Sequence, residues 1–298
     1  MGISREQALD CFRSDDLVGI GMEADAVRRR LHPEGVVSYA LECSVRMPGN
    51  DSSSLHAISA QIGDAVEGGA TGVRLIGPAG TIGHCEDVLR GLRKRFADLW
   101  LEGLTTAEVR QLASSGGLAL RDALARLQDA GLDTIMSDSG PQPDDVQAWV
   151  EVHRAAHELG MRTTAAMRFG GGETLEQRMD FVEAVRQLQQ ETAGFAAFVP
   201  VSAEAPGGRE LDGVTAVERL KTLAISRMFL DNVENVQSSW TGPGLKVLQT
   251  GLRFGANDLG ALAPGSRDAS EEDVRRIIRD AGFMPVQRDM GYRAMMLS

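Results

Sequence analysis

Short apolar stretches alternate with amphipathic stretches along most of this sequence, and that rhythm limits the folds open to it. Runs such as Val36–Leu41 and Val73–Ile76 predict strands, and segments such as Leu120–Ala130, which ends at Gly131, predict helices. Helical connections between strands favour parallel pairing. We therefore predict an α/β fold, a TIM-type (βα) barrel, complete or partial, with seven visible strand–helix repeats. A doubly wound sheet is the alternative, disfavoured because no Rossmann glycine motif follows the first strand.

Two segments lie outside this repeat. Residues 1–35 predict an N-terminal helical cap, residues 36–260 the barrel, and residues 261–298 a C-terminal helix and strand tail packed on it. Capping-box pairs, in which each side chain reaches the other's free backbone N–H, mark the starts of two helices between strands. They are Thr105 with Glu108 and Thr174 with Gln177.

Charge and cysteine content exclude several classes of protein. The chain has 31 Lys and Arg against 42 Asp and Glu, a net charge of −11, which argues against binding to nucleic acid or to a membrane surface. No apolar run is long enough to span a bilayer, and the N-terminus does not resemble a secretory signal. The three cysteines, Cys11, Cys43 and Cys85, are too few and too far apart for a disulfide framework or a metal knuckle. We expect a cytoplasmic protein without a bound metal.

The barrel prediction also locates the candidate site, because TIM-barrel chemistry takes place at the carboxyl ends of the strands. Catalytic roles are predicted there for Glu102 and Asp138. Ligand contacts are predicted for a larger set of strand-end residues: Gly77, Gly80, Arg168, Gly170, Glu173, Ser238, Asn257 and Asp258.

Each candidate also has an interpretation without function. Glu102 is a general base, a ribose acceptor or a solvated loop carboxylate. Arg168 clamps a carboxylate or phosphate, or makes a structural salt bridge. The glycines from Gly170 onward bind an anion through backbone N–H groups or form a plain loop, and Asn257 with Asp258 contacts a ligand or forms an Asx turn. His153 and His157 share a helix face, but no third metal ligand lies near them in the sequence.

Several stretches together resemble a known family. From about residue 1 to residue 293 the chain resembles dehypoxanthine futalosine cyclase and its relatives, aminofutalosine synthase and the FO synthase subunits. These are radical SAM enzymes of menaquinone and deazaflavin cofactor biosynthesis. The resemblance is carried by residues 28–39, 156–167, 195–200, 223–232, 253–260 and 277–289.

The sequence departs from the family pattern where radical chemistry takes place. The family's Cys-x-x-x-Cys-x-x-Cys loop follows its first strand, whereas this chain has only Cys43 there. The family's Gly-rich run after the fourth strand is replaced by residues 137–141, and the family's histidine at the end of strand three is Glu102. From these departures we expect no cofactor and no [4Fe–4S] cluster, with SAM binding in doubt.

The resemblance and its departures lead to four functional hypotheses, the last of which is a purely structural subunit with a filled barrel and no pocket. The first is a cluster-free, radical-SAM-like paralogue that binds a nucleoside-like or SAM-like small molecule, or supports a partner enzyme, in the futalosine route to menaquinone. The second is a non-radical enzyme that uses the barrel mouth for acid–base chemistry on a futalosine-like substrate. The third is a working cyclase whose cluster ligands come from elsewhere. The expected partners are the small molecule and either a second copy of the chain or another enzyme.

Overall fold

Eleven strands can be traced in the computed structural model, which describes residues 2–48, 52–77, 80–136, 145–205, 209–210, 214–238, 244–266 and 269–295. Within these residues the strands are β1 (Val36–Arg46), β2 (Gly72–Ile76), β3 (Trp100–Gly103), β4 (Thr134–Ile135), β5 (Thr163–Phe169), β6 (Phe195–Ser202), β7 (Glu204–Ala205), β8 (Arg209–Glu210), β9 (Asn235–Val236), β10 (Asp258–Leu262) and β11 (Met284–Gln287).

The helices lie between these strands and at the N-terminus. They are α1 (Arg5–Arg13), α2 (Leu17–Leu31), α3 (Ser52–Glu67), α4 (Ile82–Arg95), α5 (Thr106–Ser115), α6 (Leu120–Ala130), α7 (Val146–Glu158), α8 (Leu175–Thr192), α9 (Ala216–Phe229), α10 (Gly244–Gly251) and α11 (Glu271–Asp280). None of the helices in the described ranges is both long and apolar enough to cross a bilayer.

The parallel strands surround a central lumen. One sheet has the order β10-β1-β2-β3-β4 and another the order β5-β6-β9. A parallel bridge from Gln237 to Asp258 links β9 to β10, and the Thr134 hydroxyl donates to the Arg162 carbonyl at 2.7 Å between β4 and β5. The predicted α/β barrel is confirmed.

One barrel strand differs from the prediction. Seven repeats are visible in the sequence, but the structure adds β10 as an eighth barrel strand, which begins at Asp258, where a ligand contact or an Asx turn was predicted. Asp258 and Gly260 make that segment resemble a turn. It forms a strand because β1 pairs with it and Arg288 neutralises the buried Asp258.

Local signals for helix ends agree with the structure. Both predicted capping boxes are present at Thr105 and Thr174, and Gly131 ends α6 in the left-handed region, with φ at 119°. The two capping boxes mark where α5 and α8 begin, shortly after β3 and β5.

The tail encloses the amino-terminal end of the barrel. After α11, β11 pairs in parallel with the first residues of β1, from Val36 to Tyr39. The chain then turns back, with an antiparallel bridge from Arg288 to Ala294. The described residues after β11 therefore lie beneath the lumen, at the end opposite the predicted site.

Candidate functional site in the barrel lumen

The alternation of side chains along β1 determines which residues face the lumen. One set is buried against the surrounding helices and belongs to the hydrophobic core: Val37, Tyr39, Leu41, Cys43 and Val45. Because successive strand side chains point to opposite faces, the other set faces the lumen: Ser38, Ala40, Glu42, Ser44 and Arg46. Ser44 and Arg46 are exposed and Glu42 is buried, so this face runs from an accessible end to a buried floor.

Three charged side chains form that floor, and we call Glu42, Arg74 and Glu102 the lumen triad. They come from β1, β2 and β3, which are neighbours in the sheet, with Arg74 directly opposite Glu102 in register. Arg74 Nη1 lies 3.2 Å from Glu42 Oε1, and Arg74 Nη2 donates to Glu102 Oε2 at 3.4 Å. One guanidinium therefore bridges two carboxylates.

Glu42 is the unusual member of the triad. Its Oε2 is buried and accepts no hydrogen bond from any residue that the structure describes. Burial raises the pKa of Glu42 to about 7; Arg74 opposes this shift, and Glu102 adds to it by repulsion. The neighbouring carboxylates, with Glu102 first, raise the pKa of Arg74, so the guanidinium stays charged. Glu42 can therefore exchange a proton near neutral pH.

A small polar cavity lies between two members of the triad, Arg74 and Glu102, and the tail. Its volume is about 60 Å³, enough for several water molecules. The cavity is lined by residues that lie on or directly next to the strands β2 to β6 and β10, and by residues of the tail. The polar lining residues are Arg74, Glu102, Thr134, Arg162, Thr164, Gln237, Arg288 and Tyr292.

Arg288, which lines this cavity on the side of the tail, belongs to a buried ion pair. Arg288 Nε lies 2.6 Å from Asp258 Oδ2, and Arg288 Nη2 donates to Asp258 Oδ1 at 2.9 Å. The guanidinium also lies over the ring of Tyr292, whose hydroxyl is hydrogen-bonded to Gln237. Asp258, predicted to contact a ligand, is thus already engaged by the tail.

The two predicted catalytic residues have different outcomes. Glu102 is buried in the lumen triad rather than exposed on a loop, so the solvated-carboxylate interpretation is wrong. Asp138 lies outside the described residues. A catalytic role for either residue stays a prediction.

Four predicted ligand residues lie at strand ends near the mouth. Arg168 is exposed on the lumen-facing side of β5. Gly77 and Gly80, after β2, both have left-handed φ angles, 113° and 65°. Ser238 is buried after β9, where its N–H donates to the Asp258 carbonyl at 2.9 Å. Their contacts with a ligand stay predictions.

The loop after β5 is organised by one of its own side chains. The N–H groups of Gly170 and Gly171 donate to the carboxylate of Glu173 at 2.8 and 2.9 Å. Arg178 donates to the same carboxylate at 2.6 Å. The backbone donors predicted to bind an anion therefore hold Glu173 in this structure.

Asn257 lies in a buried polar network rather than at the lumen surface. Its Oδ1 accepts from Arg227 Nη2 at 2.6 Å and from the Val236 N–H at 2.9 Å, and its Nδ2 donates to Asn235 Oδ1 at 2.8 Å. These bonds join α9, β9 and the start of β10. They account for the side chain without a ligand.

Sequence reasoning did not single out Glu42 or Arg74. The signal available was a charged residue next to or within each of two predicted strands, at the lumen-facing parity of the alternation: Glu42 directly after Val36–Leu41, and Arg74 within Val73–Ile76. The alternation shows that these side chains face the lumen only when the strands are known to form a barrel.

The chain is similar to known proteins along most of its length. The family profile described as the CofH/MqnC C-terminal region matches residues 192–297. Cyclic dehypoxanthine futalosine synthase of Streptomyces coelicolor is 29% identical, with 99% of this chain and 86% of that protein covered. A 5-amino-6-(D-ribitylamino)uracil–L-tyrosine 4-hydroxyphenyl transferase of Methanosarcina mazei is 32% identical, with 84% of this chain and 74% of that protein covered. The chain belongs to the CofH/MqnC family.

The CofH/MqnC assignment confirms the predicted resemblance, and a solved structure supports the fold. Methylornithine synthase matches with a TM-score of 0.66 over 96% of this chain and 94% of that one, at 12% identity. The family is one of radical SAM enzymes that includes futalosine-pathway proteins of menaquinone biosynthesis.

Family membership corrects the cofactor prediction. We expected no cofactor, no [4Fe–4S] cluster and doubtful SAM binding, and this is wrong: CofH/MqnC relatives are enzymes that normally use a [4Fe–4S] cluster with SAM. The missing cysteine motif was given too much weight, because the absence of one ligand pattern does not show that a cofactor has been lost.

The cysteines of this chain do not, however, fit a cluster held by three of its own thiolates. Cys11 lies on α1, Cys43 on the helix-facing side of β1 and Cys85 on α4. Burial raises the pKa of Cys43 and raises that of Cys85 to about 11, which disfavours the thiolate form that binds metal. In the described ranges, which include all three cysteines, no group of three His, Cys, Asp or Glu residues could hold a metal ion.

Proposed function

We propose that this CofH/MqnC-family protein binds a nucleoside-like small molecule of the futalosine route in the lumen of its barrel. One observation carries the proposal. A lumen face that is exposed at Ser44 and Arg46 leads down to a buried charged floor, where Oε2 of Glu42 has no hydrogen-bond partner among the described residues. Unsatisfied buried polar groups cost free energy, and a polar ligand would recover it.

The mouth of the lumen has the charge to hold an anionic group on such a ligand. Arg46 on β1 and Arg168 on β5 are both exposed, at the carboxyl ends of strands on opposite sides of the barrel. Arginine binds carboxylates and phosphates in a bidentate geometry. The acidic chain as a whole does not attract anions, so such local cations would have to provide the selectivity.

The experiment is a binding panel with SAM, adenosine and futalosine, measured by thermal shift and calorimetry. A nucleoside bound at a hundredfold excess over its dissociation constant should stabilise the protein by about 2.7 kcal/mol. Arg168→Ala should weaken binding, and Arg293→Ala, an exposed arginine at the opposite end of the barrel, is the matched control. If none of the three compounds binds, or if Arg168→Ala and Arg46→Ala both bind as tightly as the wild type, the proposal is wrong.

A second candidate function is acid–base chemistry on that ligand without a radical step. The buried position of Glu102 beside Arg74 favours it, since a carboxylate held in a lumen is shielded from bulk water. Turnover of futalosine in the absence of SAM, lost in Glu102→Gln, would support this function. Undiminished turnover in that variant would remove Glu102 from the chemistry.

A third candidate is a working cyclase whose cluster ligands come from elsewhere than its own three cysteines. The CofH/MqnC relatives favour it, because they normally use a [4Fe–4S] cluster with SAM. Anaerobic reconstitution with iron and sulfide tests it through the absorbance of a bound cluster and the formation of 5′-deoxyadenosine, and the absence of both would contradict it.

A further inference from the structure

The charge balance of the lumen triad is uneven. Glu42 and Glu102 share one guanidinium, that of Arg74. The next cation below, Arg288, is already paired with Asp258 through two hydrogen bonds. With both triad carboxylates ionised, the triad itself would carry two negative charges and one positive charge away from water, counted over the residues that the structure describes. Binding a proton is the usual relief of such an excess charge.

The contacts identify which carboxylate takes that proton. Both oxygens of Glu102 face Arg74, with Oε1 and Oε2 each at 3.4 Å from a guanidinium nitrogen. Only Oε1 of Glu42 does so, at 3.2 Å, and its Oε2 is buried without a hydrogen-bond partner among the described residues. A proton on Oε2 of Glu42 breaks no contact, whereas a proton on Glu102 would disturb a contact with Arg74.

From this arrangement we infer that Glu42 is the proton-exchanging group of the lumen, which takes a proton from a bound ligand and returns it. The step is balanced: Oε2 of the carboxylate forms an O–H bond, the ligand's X–H bond breaks, and the electron pair stays on the ligand. No oxidant or reductant is needed. This inference rests on the proposed function, because the ligand is the one proposed to occupy the lumen.

The position of Glu42 suits this role. It is two residues before Ser44 on the same face of β1, a rise of roughly 7 Å, and Ser44 is exposed. A ligand that reaches past Ser44 therefore meets Glu42 directly or through one water. The charged groups facing Glu42 are Arg74 from β2, Glu102 from β3 and Arg288 from the tail.

Charge effects on Glu42 have a definite sign. Burial, the largest influence, raises its pKa, and Glu102 adds to this, while the two arginines lower it. The net pKa of about 7 matches the range in which a group can act both as acid and as base near neutral pH.

Infrared difference spectroscopy of the ligand-free protein tests the first half of the inference. Above about pH 6, where carboxyls of ordinary pKa are ionised, the wild type should still show the carbonyl stretch of a protonated carboxyl, and this band should disappear by about pH 9 with a midpoint near 7. The band should be absent in Glu42→Gln and present in Glu102→Gln with a lower midpoint, since a repelling charge is gone. Glu42→Asp, which keeps a titrating carboxyl, guards against a misfolded glutamine variant. A band that persists in Glu42→Gln, or no titrating band in the wild type, would overturn the inference.

Calorimetry in two buffers of different ionisation heat tests the second half. Glu42 has to be ionised before it can accept a proton from the ligand, so binding to the wild type near pH 7 should release protons to the buffer. Glu42→Gln should lose that release, and Arg293→Ala should keep it. Binding with the same proton count in wild type and Glu42→Gln would also overturn the inference. The infrared result does not depend on a ligand, so a failed binding panel and a failed proton assignment are separate outcomes.

Discussion

Replacing Arg288 by alanine should destabilise this protein far more than replacing an exposed arginine of the same tail. The Arg288 and Asp258 side chains are 4% and 0% exposed, and their two hydrogen bonds are 2.6 and 2.9 Å long. Without the guanidinium, the Asp258 carboxylate keeps only the Ser38 hydroxyl, at 2.5 Å, and the Gly260 N–H, at 2.7 Å, as described donors.

The magnitude follows from leaving a buried charge without its partner, which costs about 3–5 kcal/mol. At roughly 2–4 °C per kcal/mol for a chain of comparable size, Tm should fall by roughly 6–20 °C. Loss of the contact between the guanidinium and the Tyr292 ring, 3.8 Å from its centroid, adds to the destabilisation.

Urea unfolding followed by circular dichroism, together with a thermal scan, measures this loss. The control is Arg293→Ala, because Arg293 pairs with Asp289 but its side chain is 80% exposed, so its loss should cost less than about 1 kcal/mol. Adding Asp258→Asn to Arg288→Met should cost less than the sum of the two single changes, since the orphaned charge is removed. Equal costs for Arg288→Ala and Arg293→Ala, or strict additivity in the pair, would refute the reasoning.

Three further predictions follow from buried contacts. Burial lowers the pKa of His157 to about 4, so below its unfolded pKa the folded state binds fewer protons than the unfolded state. The free energy of unfolding should therefore fall as pH drops from about 6.5 towards 4. Urea unfolding at several pH values should show a shallower fall in His157→Gln. Gly194→Ala should lower the free energy of unfolding in urea by about 1–3 kcal/mol, because the new Cβ would overlap the imidazole of His157. In the control Gly160→Ala, no atom lies near the new Cβ and only the left-handed φ of 78° opposes it, so the loss should be about 1 kcal/mol. Equal losses in the two variants would contradict the overlap. Glu173→Gln should destabilise the protein by about 1–3 kcal/mol, because a neutral amide cannot replace the carboxylate that accepts from Arg178 and from two backbone N–H groups. Those N–H groups belong to Gly170 and Gly171, and their hydrogen exchange should become faster. Unchanged exchange would contradict this prediction.

Local sequence rules predicted those parts of the fold that depend on neighbouring residues. The capping box at Thr105, the helix from Leu120 to Ala130 and the left-handed Gly131 each follow from a few adjacent side chains, and the structure contains them. The parallel barrel followed from the alternation of strands and helices. The eighth strand, β10, did not, because its pairing with β1 and the charge of Arg288 come from distant parts of the chain.

The candidate site was predicted less well than the fold, for a physical reason. Strand-end position identified Glu102, but the burial that gives it a partner depends on Arg74 from the neighbouring strand. Glu42 does not stand out as a residue type. Its position on the lumen face, and a carboxylate oxygen without a partner in the described part of the chain, exist only in the closed barrel. Glu173 and Asn257 could be placed on loops from the sequence, whereas the hydrogen bonds that occupy them come from Arg178 on α8 and Arg227 on α9.

The contact between Arg288 and Asp258 has a consequence for biosynthesis. Ribosomes make the chain from its N-terminus, so all barrel strands emerge before the residue that neutralises Asp258 beneath the lumen. The amino-terminal end of a nascent barrel therefore stays uncovered until residues 284–292 have left the ribosome. Stalled or prematurely terminated translation products that lack this stretch should be aggregation-prone substrates for chaperones and proteases even though every barrel strand has been synthesised.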